Sequence, residues 1–98
     1  MRIIKKKTLQ DFWVSYPDAE QPLKYWFEKI KNAEYQNPNE VIMDNPKSDT
    51  IGNGRIIFNI THNKYRLIAL FRYKIQTVYI RFIGTHKEYD KLSDIENI

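Results

Sequence analysis

The sequence predicts an α+β fold: an N-terminal helix pair packed on a small antiparallel β-sheet, with a short C-terminal helix or tail. Three observations carry this. Apolar residues recur at helical spacing from Leu9 to Ala33, then alternate at strand spacing from Ile56 to Ile83. Breakers gather between the two regimes, at Pro38, Pro46 and Gly52-Asn53-Gly54. The 98 residues are 42% hydrophobic and 14% aromatic, enough for one domain over residues 1–98. Its core is small, so aromatics must fill much of it: Phe12, Trp13, Trp26, Phe27, Phe58, Phe71 and Phe82.

Met1 to Ile4 opens as an edge strand. Leu9, Phe12, Trp13 and Tyr16 then follow at i, i+3, i+4, i+7, one face of a helix. Thr8 with Asp11 three residues later resembles a capping box at its start. Pro17 stops this helix, and Asp18 is placed to cap the next, with Pro22 tolerated in its first turns. Leu23, Trp26, Phe27, Ile30 and Ala33 form a second stripe. Two helices joined at Tyr16-Pro17 should pack as a hairpin. Val41-Ile42-Met43 fits one helical turn in the loop that follows, and Gly52-Asn53-Gly54 reads as a turn before a phosphate nest.

Three strands come next. Ile56, Phe58 and Ile60 alternate with Ile57 and Asn59; Tyr65, Leu67, Ala69, Phe71 and Tyr73 with Arg66, Ile68, Leu70 and Arg72; Val78, Ile80 and Phe82 with Thr77, Tyr79, Arg81 and Ile83. Thr61–Lys64 and Lys74–Gln76 are the hairpin turns. A helix pair on one face of such a sheet is the expected layering.

Charge is distributed unevenly along this pattern. No Asp or Glu lies between Asp49 and Glu88, a stretch holding Arg55, Lys64, Arg66, Arg72, Lys74, Arg81, Lys87 and both histidines, His62 and His86. The net charge of +4 understates this, because residues 88–98 carry four acids against Lys91 alone. A sheet with cations, imidazoles and no carboxylates suits a polyanion, or chemistry on a phosphate. Other classes are disfavoured. Without cysteine there is neither disulfide nor thiolate metal site, and two distant histidines do not resemble a metal-ligand set. No Walker or dinucleotide motif is present. Gln10, Asp11 and Ser15 interrupt any signal-peptide core after Lys5-Lys6-Lys7, and no apolar run approaches a membrane span, so the chain reads as soluble and cytoplasmic.

Arg66 and Arg81 fall in the middles of adjacent predicted strands. With a two- or four-residue loop, Phe71 pairs with Val78 and Leu67 with Phe82, so Arg66 faces Ile83 and Arg81 faces Ile68. The arginines are then diagonal neighbours on one side of the sheet, roughly 7–8 Å apart. A three-residue loop would set them on opposite faces. Paired cations repel unless an anion binds between them, and the guanidinium fork matches phosphate oxygens. Two strand arginines each stacked on an aromatic such as Tyr79 would read the same way.

His86 follows Gly84-Thr85 at the end of the last strand, with Tyr89 three residues on. Imidazole titrates near neutrality and can act as acid or base, and nearby arginines favour its neutral form. A surface histidine in a turn fits the spacing equally. Tyr89 could stack on a base, donate a proton or pin the tail. His62 falls in a predicted turn and reads as ordinary.

Read together, Arg55-Ile56-Ile57-Phe58-Asn59-Ile60, Asn63-Lys64-Tyr65-Arg66-Leu67 and Tyr79-Ile80-Arg81-Phe82-Ile83-Gly84-Thr85-His86-Lys87-Glu88-Tyr89-Asp90 resemble the HigB toxins of type II toxin–antitoxin systems, in the branch ending Thr-His-x-x-Tyr-Asp. Lys7-Thr8-Leu9, Phe12-Trp13, Pro17-Asp18-Ala19, Pro22-Leu23 and Trp26 extend the resemblance to the opening. It implies a RelE-like fold and metal-independent, cofactor-free mRNA cleavage at the ribosomal A site by 2′-hydroxyl attack on the phosphate. It also implies a HigA-type helix-turn-helix antitoxin as partner in a hetero-oligomer. Carried onto matching positions, Arg66 and Arg81 would stabilise charge, His86 would transfer a proton, and Tyr89 would stack or act as auxiliary acid. Arg55, Lys64 and Lys87 would hold RNA, and Lys5 and Lys6 could add to the RNA-facing rim. RelE-like catalytic sets vary, so acid and base stay unassigned. Two other functions fit the residues: a ParE-like gyrase inhibitor, and a non-catalytic RNA-binding module.

Overall fold

The computed structural model describes residues 1–98. In chain order the elements are β1 (Arg2–Ile4), α1 (Lys6–Ser15), a 3-10 turn at Pro17–Ala19, α2 (Glu20–Lys31), α3 (Pro38–Asp44), β2 (Ser48–Gly52), β3 (Arg55–Ile60), β4 (Tyr65–Arg72), β5 (Thr77–Thr85), α4 (His86–Asp90) and a closing 3-10 turn at Ile95–Asn97. The strands form one sheet in the order β1-β5-β4-β3-β2. The α+β class holds, but the sheet is mixed rather than antiparallel: β1 runs parallel to β5, with Ile3 opposite Val78. A parallel edge is possible because α1 and α2 lie between β1 and the rest of the sheet in sequence, which gives the crossover such a pairing needs.

Several local expectations are corrected. Thr8 does not cap α1, which starts two residues earlier behind an extended Lys5 with no side-chain cap. The pairing of β1 sets that start. Asp18 does not cap α2. Its carboxylate instead accepts hydrogen bonds from Lys64 Nζ at 2.6 Å and Tyr65 Oη at 2.5 Å, tying the helix junction to the β3–β4 hairpin. The Lys64 bond, then the Tyr65 bond, hold the Asp18 carboxyl below its usual range. The loop after α2 holds more structure than one turn. Asn37 caps α3 by accepting from the Glu40 amide at 3.1 Å, and Tyr35 donates to Asp44 at 2.5 Å behind it. Burial, reinforced by Asp44, pushes the Tyr35 hydroxyl up to about 12. β2 then pairs antiparallel with β3.

The main core lies between the helices and the sheet. Leu9, Leu23, Ile30, Ile56, Phe58, Leu67, Phe71 and Val78 are buried there, with Phe12, Trp13 and Phe27 half-buried around them. Each such aliphatic or aromatic side chain removed from water contributes about 1.5–3 kcal/mol.

The β4–β5 ladder positions the functional face. Phe71 pairs with Val78 and Ala69 with Ile80, but the next pairs are Ile68–Phe82, Leu67–Ile83 and Arg66–Gly84. Arg81 is therefore an extra residue, a β-bulge. Past it the faces swap. Ile83, not Phe82, joins Leu67 on the helix side, and Phe82 leaves the predicted core. Arg66 faces Gly84 rather than Ile83, and Arg81 no longer faces Ile68.

The face away from the helices is also covered. Ile57, Ile68 and Leu70 on it are buried. The C-terminal segment returns across it, so the tail is both a short helix and an ordered strap. The Arg55 guanidinium donates to the Ile98 carbonyl oxygen from Nε at 3.2 Å and Nη2 at 2.7 Å, and Asn53 donates to Asn97 at 3.0 Å.

Candidate active site

The site forms where β5 becomes α4. Thr85 Oγ1 accepts from the Glu88 amide at 3.2 Å, and Glu88 Oε1 accepts from the Thr85 amide at 2.8 Å, a complete capping box. That cap fixes the first turn of α4, so His86, Tyr89 and Asp90 share one side of it at i, i+3 and i+4. Opposite them on β4 stands Arg66. Its guanidinium lies over the Tyr89 ring, 5.6 Å from the centroid, and its Nη2 is 2.8 Å from His86 Nε2. His86 Nδ1 is 3.2 Å from Asp90 Oδ2. Phe82 props Tyr89 from behind, with ring centroids 6.5 Å apart.

Hydrogen-bond roles follow from the partners. A guanidinium only donates, so His86 Nε2 accepts and carries a lone pair. The ring proton is then on Nδ1, which donates to the Asp90 carboxylate. This assignment comes from donor and acceptor chemistry. The His86 and Asp90 side chains are 51% and 60% exposed. Even a full ion pair this open to water contributes only about 0–1 kcal/mol, so the His86–Asp90 hydrogen bond does little for stability. What it fixes is geometry: an anion-binding fork and an imidazole lone pair within one hydrogen bond. Arg66 Nε and, across the ladder on β3, Asn59 Oδ1 are buried without partners. Trp26 Nε1, Tyr73 Oη and Gln76 Oε1, away from the site, are in the same condition, so these idle atoms do not by themselves mark it.

The other predicted residues are dispersed. Arg81 is exposed at the bulge, with no hydrogen bond or ion pair, and is not the cross-strand neighbour of Arg66 expected from a regular ladder. Lys87 is exposed beside His86. Arg55 is engaged with the C-terminal strap and Lys64 with Asp18. Lys5 and Lys6 open α1, with Lys6 Nζ over the Phe27 ring at 4.7 Å. His62 sits in the β3–β4 turn at φ 52°. Asp90 was not among the predicted site residues, although its i, i+4 spacing from His86 on a short helix was the signal for it. No three His, Cys, Asp or Glu side chains form a metal-ligand group. The cavity of about 360 Å³ between Trp26, Pro46 and Phe58 and the smaller one beside Leu9 and Trp13 include none of Arg66, His86, Tyr89 and Asp90, and the His86 and Asp90 side chains are more than half exposed. The cluster is thus an open surface.

Fold and site together define a small basic α+β protein whose last strand ends in a cluster suited to a phosphate-bearing ligand. Residues 19–92 match the HigB toxin family, described as the RelE-like toxic component of a toxin–antitoxin system, and the chain belongs to that family. It is 29% identical over 92 residues to the mRNA interferase toxin HigB of Escherichia coli K12, covering 92% of this chain and 88% of that protein. The mRNA interferase HigB of Shigella flexneri matches to the same extent. That of Escherichia coli O6:H1 is 26% identical over 95 residues, covering 95% of this chain and 92% of the relative. A toxin of such a system has an antitoxin as its partner. No helix of the chain is long and apolar enough to cross a membrane.

Proposed function

We propose that this protein is a ribosome-dependent mRNA endonuclease that inhibits translation. The chain acts in the cytoplasm, where a HigA-type helix-turn-helix antitoxin holds it in a hetero-oligomer. The observation that carries the reading is the 2.8 Å contact between Arg66 Nη2 and His86 Nε2, which sets a phosphate binder beside a proton carrier. Cleavage by attack of the ribose 2′-hydroxyl, leaving a 2′,3′-cyclic phosphate, needs proton transfer and cationic stabilisation of the pentacoordinate phosphorus. His86 supplies the first, Arg66 the second, and Arg81 and Lys87 add charge along the RNA path. Tyr89, already a stacking surface for a guanidinium, offers the same face to a base. The mechanism requires no metal ion and no cofactor.

The openness of the site supports ribosome dependence. Without a cleft around His86, the protein has little of its own to hold mRNA in an attack geometry, and the ribosomal A site supplies the missing walls. The antitoxin then neutralises by bulk, keeping the toxin out of that site while leaving the Arg66–His86 cluster uncovered.

Expression in bacteria with mapping of mRNA 5′ ends tests the reading. The wild-type chain should produce new ends in translated messages, and His86→Gln should remove them while ribosome binding persists. Loss of a general acid or base costs roughly 10²–10⁴ in rate. Unchanged cleavage by His86→Gln at matched expression, or efficient cleavage of naked mRNA at physiological salt, contradicts it. A non-catalytic RNA binder would produce no new ends in either case.

A further inference from the structure

We propose that Asp90 is a positioning residue that determines which nitrogen of His86 serves as the base. The inference rests on the endonuclease reading above and deepens it. Both ends of the imidazole are constrained by groups whose hydrogen-bonding character cannot change. Arg66 can only donate, so Nε2, at 2.8 Å, must accept. The ionised Asp90 carboxylate can only accept, so Nδ1, at 3.2 Å, must donate. The two demands agree on one tautomer. Its opposite would turn an Nε2–H against the Arg66 donors and leave no lone pair towards the phosphate. The other charged groups on this helix are Lys87, Glu88 and, just beyond it, Lys91. None of them bonds to the ring, and Glu88 is held by the helix cap.

Arg66 occupies the Nε2 lone pair in this structure. A phosphodiester that takes up the Arg66 guanidinium releases that lone pair where the ribose is bound. The 2′-hydroxyl gives its proton to Nε2, the O2′–P bond forms and the P–O5′ bond breaks. The departing oxygen takes a proton from water, and His86 returns its own to solvent. The products are a 2′,3′-cyclic phosphate and a free 5′-hydroxyl. Throughout, Asp90 keeps the Nδ1–H in place and faces the imidazolium as it forms, touching no substrate itself.

The test pairs a spectrum with a rate. Imidazole ¹⁵N shifts of the free protein report which ring nitrogen carries the proton. The wild type should show the Nδ1–H form of His86. In Asp90→Asn the amide can donate as well as accept, so the Nε2–H form should rise. Cleavage of ribosome-bound mRNA by that variant should fall about 10–100-fold, less than the ~10⁴ of a buried triad because both side chains stand half in water. Ribosome affinity and melting temperature should hold, and Asp90→Glu should recover part of the rate. An Asp90→Asn protein with the wild-type tautomer, or with the wild-type cleavage rate, overturns the proposal. Failure of the wild-type chain to cut mRNA on ribosomes would instead overturn the endonuclease reading, and the spectra would still decide whether Asp90 sets the tautomer.

Discussion

Gly84→Ala should damage the site through one identifiable clash. A Cβ at this position would lie 2.6 Å from Phe82 Cζ, 3.2 Å from its Cε1 and 3.1 Å from Glu88 Oε1. Carbon atoms pack at about 3.5–4.0 Å, so the Phe82 ring must withdraw by about 1 Å. The ring packed against it is Tyr89, 6.5 Å away between centroids, over which the Arg66 guanidinium lies. Overpacking of this kind costs about 1–3 kcal/mol, offset by about 0.4–1 kcal/mol because alanine restricts the unfolded chain. Mid-range values leave a net loss of about 1.3 kcal/mol, which should lower the melting temperature by roughly 5–10 °C in a domain of this size. The assay is a double-mutant cycle by thermal denaturation. Phe82→Ala alone destabilises by exposing its neighbours, but it clears the space that the new methyl needs. On that background Gly84→Ala should cost nothing or stabilise slightly, a coupling of about 1–3 kcal/mol. Cleavage by the single Gly84→Ala variant should also fall below what its folded fraction explains. Equal destabilisation by Gly84→Ala with and without the Phe82 ring would refute the clash and the stacked order Gly84–Phe82–Tyr89–Arg66 built on it.

Further outcomes follow from the same geometry. Arg66→Ala should reduce ribosomal cleavage at least roughly 10²-fold, and Arg81→Ala less, since only Arg66 contacts His86; equal losses would restore the symmetric arginine pair. The salt dependence of ribosome binding, as the slope of log affinity against log salt, should drop by about 1 in Lys87→Ala and Arg81→Ala. It should not change in Arg55→Ala, whose guanidinium is held by Ile98 and whose loss should lower the melting temperature instead; a slope change there would mean that Arg55 binds phosphate. The Asp18 carboxyl is held below the ordinary aspartate range, so its contribution is present above that range and is lost as pH falls through the lower folded value. The melting-temperature gap between wild type and Asp18→Asn should therefore close in acid, and a gap that does not vary with pH would exclude the Lys64–Asp18–Tyr65 link as its source.

How far the fold was legible varied with the strength of the local pattern. The stripes of α1 and α2 were readable because burial on one side leaves a 3.6-residue period, and Leu9, Leu23, Trp26 and Ile30 are indeed buried. The β4–β5 turn was readable as well, since a four-residue loop sets Phe71 against Val78. β2 was not. Ser48-Asp49-Thr50-Ile51-Gly52 contains one apolar residue, and an edge strand paired only through its backbone to β3 shows no alternation. The start of α2 was misjudged for a related reason: Lys64 and Tyr65 took the Asp18 side chain that local rules assigned to a cap.

The bulge at Arg81 was the costlier omission, because the site depends on it. Both faces of the sheet are covered, one by helices and the other by the C-terminal strap, so Ile80-Arg81-Phe82-Ile83 offers apolar residues to each side and its parity cannot be counted. The adjacent Phe82 and Ile83 break the alternation next to Arg81, but Ile56-Ile57-Phe58 and Leu67 to Phe71 break it too without a bulge. In a regular ladder Ile83 would stand opposite Arg66, filling the space beside it with a branched side chain. The extra residue brings Gly84 there instead. With no side chain at Gly84, the Phe82 ring lies across its position and supports Tyr89, and the Arg66 guanidinium stacks over Tyr89 to reach His86. The sequence singled out Arg66, Arg81, His86 and Tyr89 as candidates for the chemistry. The inserted residue, which no periodicity reveals, puts Arg66 within a hydrogen bond of His86 and over the Tyr89 ring, while Arg81 stands apart.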